Sequence, residues 1–391
     1  MKLFIVSLFL PQQKATHAGG RYVFEIIKNM SKYHEIYLAT RLEESEVELL
    51  KTLSPYCKEI YPYTYPAADR RGYYYIARLI FNYIGFSIYA DKLIKLNKFD
   101  IVQVEWVETA LILGKCSVPV ILDAHDVITK PAERFFKNSK GIMRFLSWFR
   151  YAITKMVELM VMKKFDMIIT LSDFDKQYLM QMSPELHIET VPIPAGLDIT
   201  DRIFDRQGNT ILFLASYKHH RTNVDAALYF YREIFPLIRG KIPDAVFIIA
   251  GYGPPEELMS IPRKDSHVVV TGFVDDLDEC YKKAAVFAAP ILTGGGIIVK
   301  ILDALAAGTP VVTTAYGNEG IGAVDGRDLI VADDPESFAT AVVKLLTNQE
   351  FAEKLGLSGQ AYVRKNYSLE SVTNRLENAY RDVLESFVRK G

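Results

Sequence analysis

Short runs of apolar and β-branched residues alternate along this chain with longer stretches in which apolar positions recur every three or four residues. In the first half the short runs are Lys2–Ser7, Glu35–Ala39, Ile101–Trp106, Val118–Ala124 and Met167–Ser172. In the second half they are Thr210–Ala215, Ala245–Ala250, Val268–Phe273, Val286–Ile291, Pro310–Thr314 and Leu329–Ala332. Most are nearly continuous in apolar residues, the pattern of parallel strands covered on both faces. Strand and helix alternating throughout predicts an α/β chain with doubly wound sheets and right-handed crossovers. The series starts twice, because Asn209-Thr210-Ile211-Leu212-Phe213 opens a second set much as Lys2-Leu3-Phe4-Ile5-Val6 opens the first. Between them, Val191-Pro192-Ile193-Pro194-Ala195-Gly196-Leu197-Asp198 disfavours regular structure and places an interdomain hinge near 191–203. The expected parts are a first Rossmann-like domain over 1–190, a second over 204–366, and a helical tail over 367–391. Within that tail, Leu369 to Val388 reads as one amphipathic helix.

The opening MKLFIVSLFLP is read as a buried first strand. It is too short to span a membrane, and no small-residue cleavage site follows it. A length of 391 residues favours two domains, and 50% hydrophobic with 24% charged residues fits a soluble globular protein. A net charge of −1 gives no global electrostatic case for nucleic acid as a partner. Cys57, Cys116 and Cys280 are far apart and odd in number. They suggest a reducing, cytoplasmic compartment without disulfides or zinc spacing. Residues 132–165 mix aromatics and cations: Phe135, Phe136, Lys137, Lys140, Arg144, Phe145, Trp148, Phe149, Arg150 and Lys155. The segment 70–99, with Arg70, Arg71, Tyr73, Tyr74, Tyr75 and Phe81, is similar. Such stretches suit either a peripheral contact with the inner face of a membrane or core packing with snorkelling cations.

The stretch richest in chemistry runs from Pro290 to Val312, PILTGGGIIVKILDALAAGTPVV. Gly294, Gly295 and Gly296 allow close backbone approach to a ligand, and the helix that follows offers free N–H groups and a positive dipole end to a diphosphate. Lys300 adds a cation in the first turn. Asp303, one turn later on the same face, could accept two ribose hydroxyls, or the two could simply form a surface ion pair. No Gly-Lys-Ser/Thr closes the loop, so it is not a P-loop. Gly251 and Gly253 form a strand-end turn, and Thr271-Gly272-Phe273-Val274 ends another strand. After the first strand, His17-Ala18-Gly19-Gly20-Arg21 offers two adjacent glycines, with Arg21 either pairing with phosphate or lying on the helix surface. Val120 to Asp126, VILDAHD, puts His125 at a strand's carboxyl end, where Asp123 or Asp126 could orient the imidazole or cap the next helix. Ser172 reads as a helix N-cap. Capping is also the better reading of Asp276 in Asp276-Leu277-Asp278, despite its Asp-x-Asp metal-motif letters. His219 and His220 read as loop residues, with no metal spacing around them.

Together these segments resemble the glycosyltransferases of family 4 with the GT-B fold, in the subgroup where a triple glycine is followed by lysine, isoleucine, leucine and an acidic residue. The resemblance covers nearly the whole chain. It implies two Rossmann-like domains facing a cleft, a C-terminal helix crossing back to the N-terminal domain, and sugar transfer from a nucleotide-sugar donor. The acceptor would be a glycan, a lipid-linked glycan or a small molecule. Transfer would retain anomeric configuration, with no cofactor and no metal. By the same resemblance Asp303 holds the donor ribose, and Gly251, Gly253, Phe273 and Val274 line the nucleotide pocket. Gly294 to Ile298, Ile297 included, belongs to the donor site. Lys218, Arg221 and Lys300 are candidates for the diphosphate charge that an arginine–lysine pair supplies in many relatives. Gly19, Gly20 and Arg21 meet the donor diphosphate or reaction centre, and His125 contacts the transferred sugar. His125, Lys300 and Gly20 are thus the catalytic candidates. The first glutamate of the commoner family pattern falls at Gly295. Two other classes share the architecture or tolerate the missing residues: a sugar-nucleotide 2-epimerase and a catalytically inactive donor-binding scaffold.

Overall fold

A computed structural model describes residues 1–13, 18–66, 73–111, 113–114, 116–197, 199, 208–218, 220–293 and 296–390. The chain divides into two compact units, Met1–Pro192 with Thr373–Gly391, and Ile193–Val372.

The first unit is built on a seven-stranded parallel sheet: β1 (Lys2–Ser7), β2 (Glu35–Glu43), β3 (Glu59–Tyr65), β4 (Ile101–Glu105), β5 (Val120–Ala124), β6 (Met167–Thr170) and β7 (Ile188–Thr190). The order is β3-β2-β1-β4-β5-β6-β7. β1, β4, β5 and β6 are apolar runs buried almost throughout, as strands covered by helices on both faces must be. The two outer strands, β3 and β7, are additions to the sequence reading. β3 carries Pro62, which a sheet tolerates at its edge, and its exposure alternates because only one face is covered. The order reverses between β1 and β4, so the crevice at their carboxyl ends is the place where such sheets take ligands.

The second unit repeats the scheme with β8 (Thr210–Leu214), β9 (Val246–Ala250), β10 (Val268–Gly272), β11 (Val286–Ala289), β12 (Val311–Thr313) and β13 (Ile330–Val331), in the order β10-β9-β8-β11-β12-β13. Here the order reverses between β8 and β11. Phe213, Phe230, Phe235, Phe247 and Phe287 fill the middle of its core.

The C-terminal helix runs from Leu369 to Lys390. Val372, Leu376, Ala379, Tyr380 and Val383 are buried on one stripe, spaced as an amphipathic helix requires. From Thr373 onward it belongs to the first unit, where Glu377 meets His34 at 2.5 Å. No helix among the described residues is long and apolar enough to cross a membrane.

Candidate active site

In the first unit three strand ends converge at the reversal of strand order. Gly19 and Gly20 start the helix Ala18–Met30 after β1, Trp106 follows β4, and His125 follows β5. The imidazole of His125 is buried and stacks on the Trp106 indole, with centroids 4.1 Å apart and planes 16° from parallel. Tyr22 meets it edge-on at 5.4 Å. Trp106 has φ 67°, the only positive value at a non-glycine among the described residues, so its ring is held in place at a backbone cost. A Cβ on Gly19 would lie 2.7 Å from Trp106 Cζ2 and 3.3 Å from His125 Nδ1. Glycine is therefore what lets the start of this helix lie against both rings. Gly20 is buried behind it, and Arg21 is exposed on the helix surface.

The orienting partner of His125 is neither Asp123 nor Asp126. His125 Nε2 lies 2.7 Å from Glu105 Oε2, while Asp123 accepts a 2.9 Å hydrogen bond from the Tyr22 hydroxyl. Parallel pairing sets Glu105 beside Asp123 across β4 and β5, and this lateral neighbour is what a linear reading misses. Glu105 Oε1 accepts a 2.7 Å bond from Gln103 Nε2, and Gln103 Oε1 accepts one from the Tyr380 hydroxyl of the C-terminal helix. Burial pushes the Glu105 carboxyl up to about 8. Burial, then the nearby Glu105 charge, pushes Asp123 up to about 7. Burial lowers His125, which is therefore a neutral imidazole near pH 7. Ligand atoms of Glu105, Asp123 and His125 come within 4.8 Å of one another. A metal ion bound at about 2.0–2.2 Å by both partners would hold Nε2 and Oε2 farther apart than 2.7 Å, which is an ordinary hydrogen-bond separation.

In the second unit the ends of β8, β9, β10 and β11 supply the other candidates. Gly251 has φ 129°, and a Cβ there would meet Ala215 O at 1.8 Å; Gly253 has φ 68° and abuts Lys218. These glycines bring the turn after β9 against the turn after β8. Lys218 Nζ lies 3.1 Å from the Tyr252 hydroxyl, and Phe273, 69% exposed, meets the Tyr252 ring edge-on at 6.3 Å. Val274, Ile297 and Ile298 are half-buried against the core. Arg221 is engaged by Asp225 and Glu257.

After β11, Gly294 and Gly295 lie outside the described residues, as do His17 and His219. Gly296 takes φ 74°, and the helix Val299–Ala306 begins with no side-chain cap. Its first N–H groups thus have no intrahelical acceptor. Lys300 and Asp303 do not form the surface ion pair. Lys300 Nζ donates to Asn223 Oδ1 at 2.6 Å and lies 5.4 Å from the Phe213 ring centre, while Asp303 Oδ1 accepts the Gly196 N–H at 2.8 Å. Asn223 also donates to Ser216 O at 2.7 Å, tying the turn after β8 to this lysine. Burial pushes the Lys300 ammonium down to about 8. An amine enclosed this way, beside uncapped amides, gains from an anion that supplies its missing charge.

Ser172 caps the helix Asp173–Met182 and Asp276 caps the helix Leu277–Lys283, in each case by accepting an N–H three residues on. Arg70 and Arg71 lie outside the described residues. Helix Gly141–Met162 carries an exposed stripe of Ile142, Leu146, Phe149, Ile153, Met156 and Met160, spaced four and three residues in turn, with Phe145 and Trp148 beside it. Its one acid, Glu158, is buried and accepts from the backbone of Ile128 and Thr129.

Two family models divide the chain between them, that for Glycosyltransferase Family 4 over residues 19–200 and that for Glycosyl transferases group 1 over 208–348. The chain belongs to the family 4-like glycosyltransferases of the GT-B fold. A phosphatidyl-myo-inositol mannosyltransferase of Mycobacterium tuberculosis is 27% identical to this chain over 234 residues, which is 56% of this chain and 60% of that protein. The chain thus spans about three fifths of that curated relative's length. A sucrose-phosphate synthase from Thermosynechococcus elongatus superposes with a TM-score of 0.71 at 14% identity, over 99% of this chain and 100% of its own. The Anabaena protein HepE, solved in complex with UDP, gives 0.67 at 12% identity, over 98% and 100%. At those identities the likeness is one of fold.

Proposed function

We propose that this transferase moves a sugar from a nucleotide-sugar donor to a lipid-linked or other glycan acceptor, with retention of configuration and without a metal. The observation that carries the reading is the pairing of Lys300, enclosed and held by Asn223, with an uncapped helix start behind a positive-φ glycine. In the transfer, the bond from the anomeric carbon to the β-phosphate oxygen breaks and an acceptor hydroxyl oxygen bonds to that carbon on the same face, its proton passing to the departing phosphate oxygen. Charge grows on the departing diphosphate, and fixed N–H dipoles plus one ammonium stabilise it without reorganising. Asp303, whose carboxylate already accepts the Gly196 N–H at 2.8 Å, would accept from the donor ribose as well. His125 would face the transferred sugar.

The test is thermal stabilisation by UDP-, GDP-, dTDP- and ADP-sugars, with NAD as control. UDP-sugars come first, because HepE was solved with UDP. A donor at 100 times its dissociation constant adds about 2.7 kcal/mol. The expected result is one sugar-nucleotide response, weakened in Asp303→Ala and in Lys300→Ala. Response to NAD alone, or to nothing, overturns the reading.

The exposed stripe on helix Gly141–Met162 favours an acceptor at a lipid surface. Phe145 is 67% exposed and Phe149 57%, and the helix's charges outside the buried Glu158 are all positive, Arg144 and Arg150 exposed and Lys155 half-buried. Like charges oppose pairing with a second copy and suit anionic headgroups. Each ring sunk into the acyl boundary contributes about 1.5–3 kcal/mol, and each nearby cation about 1 kcal/mol. Co-sedimentation with phosphatidylglycerol vesicles is expected, weakened by salt and by Phe145→Ser with Phe149→Ser, and absent with phosphatidylcholine alone. Wild type left in the supernatant, or a double variant that sediments equally, sinks the membrane proposal.

A further inference from the structure

The buried chain Tyr380–Gln103–Glu105–His125 reaches from the C-terminal helix to the imidazole at the reversal of strand order. Each link constrains the next. The Tyr380 hydroxyl donates to Gln103 Oε1, so the Gln103 amide must present its NH₂ to Glu105 Oε1. Oε1 is thereby confined to accepting. Any proton on Glu105 can sit only on Oε2, which faces His125 Nε2 at 2.7 Å. The other ring nitrogen, Nδ1, faces the Gly19 backbone, with the glycine's missing Cβ 3.3 Å away.

We propose that Glu105 is a positioning residue that selects which nitrogen of His125 carries the proton, and hence whether Nδ1 offers a donor or a lone pair toward the glycine turn. When Glu105 is protonated, Oε2–H donates to Nε2 and the ring's one proton is on Nδ1. When Glu105 is ionised, Nε2–H donates to Oε2 and Nδ1 is bare. Loss of the Glu105 proton to solvent is therefore coupled to movement of the ring's proton from Nδ1 to Nε2. No other reactant is needed.

Burial of Glu105 raises its carboxyl to about 8, which brings this exchange into an accessible range. Its surroundings are Gln103 on its own strand, Asp123 and His125 on β5, Tyr22 from helix Ala18–Met30, and Tyr380 with Glu377 from the C-terminal helix. Asp126 and Glu108 bear on the His125 side. None of these is a cation that would hold Glu105 ionised. The link to catalysis rests on the reading that His125 faces the sugar. A sugar hydroxyl beside a departing diphosphate is an oxygen-rich neighbourhood, and a donor at Nδ1 suits it. Activity then belongs to the protonated form of Glu105 and declines as pH rises through its ionisation.

The Glu105→Gln variant separates the two states. The amide it introduces can accept from Gln103 through its oxygen and donate to His125 Nε2 through its NH₂, filling the same bonds as protonated Glu105 at every pH. The experiment is ¹⁵N spectroscopy of the imidazoles on the full chain from pH 6 to 9.5, with His125→Gln to assign the signal, alongside donor kinetics. In wild type the protonated nitrogen of His125 is expected to change from Nδ1 to Nε2 across this range, and in Glu105→Gln to stay Nδ1. kcat of wild type should fall about tenfold per pH unit on the alkaline side, with the fall absent in Glu105→Gln. KM for the donor, bound by the second unit, should be common to both. The same tautomer in both proteins at every pH overturns the proposal. A tautomer switch that kcat ignores leaves the selection standing and refutes instead the placing of His125 at the sugar.

Discussion

Gly19→Ala tests the packing at the centre of the first unit. The new methyl would start 2.7 Å from Trp106 Cζ2, about 1 Å inside the 3.5–4.0 Å at which carbon atoms rest. The indole has little room to retreat. It stacks on His125 at 4.1 Å, meets Phe9 edge-on at 4.9 Å, and hangs from a backbone already at φ 67°. A shift of the ring is therefore passed to the imidazole. Overpacking of this kind costs about 1–3 kcal/mol, offset by about 0.5–1 kcal/mol from removing a helical glycine. A net loss of roughly 0.5–2 kcal/mol lowers Tm by only about 1–8 °C. The effect on turnover should be much larger, since a misplacement near 1 Å costs on the order of 100-fold in rate. Nucleotide affinity, measured by calorimetry, should fall far less than turnover, because Lys300, Asp303 and the Gly251 turn, which would carry most of it, lie in the second unit. The reasoning is refuted by a kcat within twofold of wild type, or by a loss of nucleotide affinity that accounts for the whole defect.

Lys300 predicts a pH signature for binding rather than turnover. With its ammonium pushed down to about 8, it ionises less readily in the folded chain than in the unfolded one. Its burial therefore opposes folding below pH 8, and the penalty relaxes between 8 and the unfolded value. UDP affinity should drop about tenfold per pH unit above 8, and Lys300→Met should bind weakly at pH 7 with a flat profile; a wild-type affinity constant from pH 7 to 9 would refute this. Gly251→Ala should remove about 3 kcal/mol or more, because the methyl would overlap Ala215 O at 1.8 Å in a backbone conformation that side chains rarely adopt. Thermal unfolding within 2 °C of wild type would show that the turn after β9 can yield.

The mostly apolar runs that predict β1, β4, β5, β8, β9 and β11 are legible because a strand buried on both faces admits a polar residue only where a partner satisfies it. β3 lacks that constraint. As an edge strand it alternates tyrosine with Pro62 and Thr64 and so resembles a loop. Individual site residues were legible where a local rule governs them, such as a glycine at a strand end, Ser172 or Asp276 before a helix, and Lys300 in a first turn. Glu105 was not. It sits inside an apolar run, Ile101–Trp106, and its partner is 20 residues away on a strand made adjacent only by the crossover. The same holds for Asn223, whose bond to Lys300 spans 77 residues, and for Tyr380, whose partner Gln103 is 277 residues distant. Periodicity marks which face is buried. It carries no information on which polar groups meet there.

The return of Thr373–Gly391 to the first unit sets an order of events during synthesis. Gln103 and Glu105 emerge from the ribosome early, yet the hydroxyl that fixes them, on Tyr380, is made only after about 180 residues of the second unit. At roughly 5–20 residues per second, that delay is on the order of ten to forty seconds. For that time the nascent first unit carries a polar strand end with one partner missing and an uncovered groove where Leu376, Ala379, Tyr380 and Val383 will lie. Maturation of the imidazole site therefore waits on synthesis of the whole second unit, and a ribosome stalled within that unit would display a first unit that is folded in outline but unfinished at its centre.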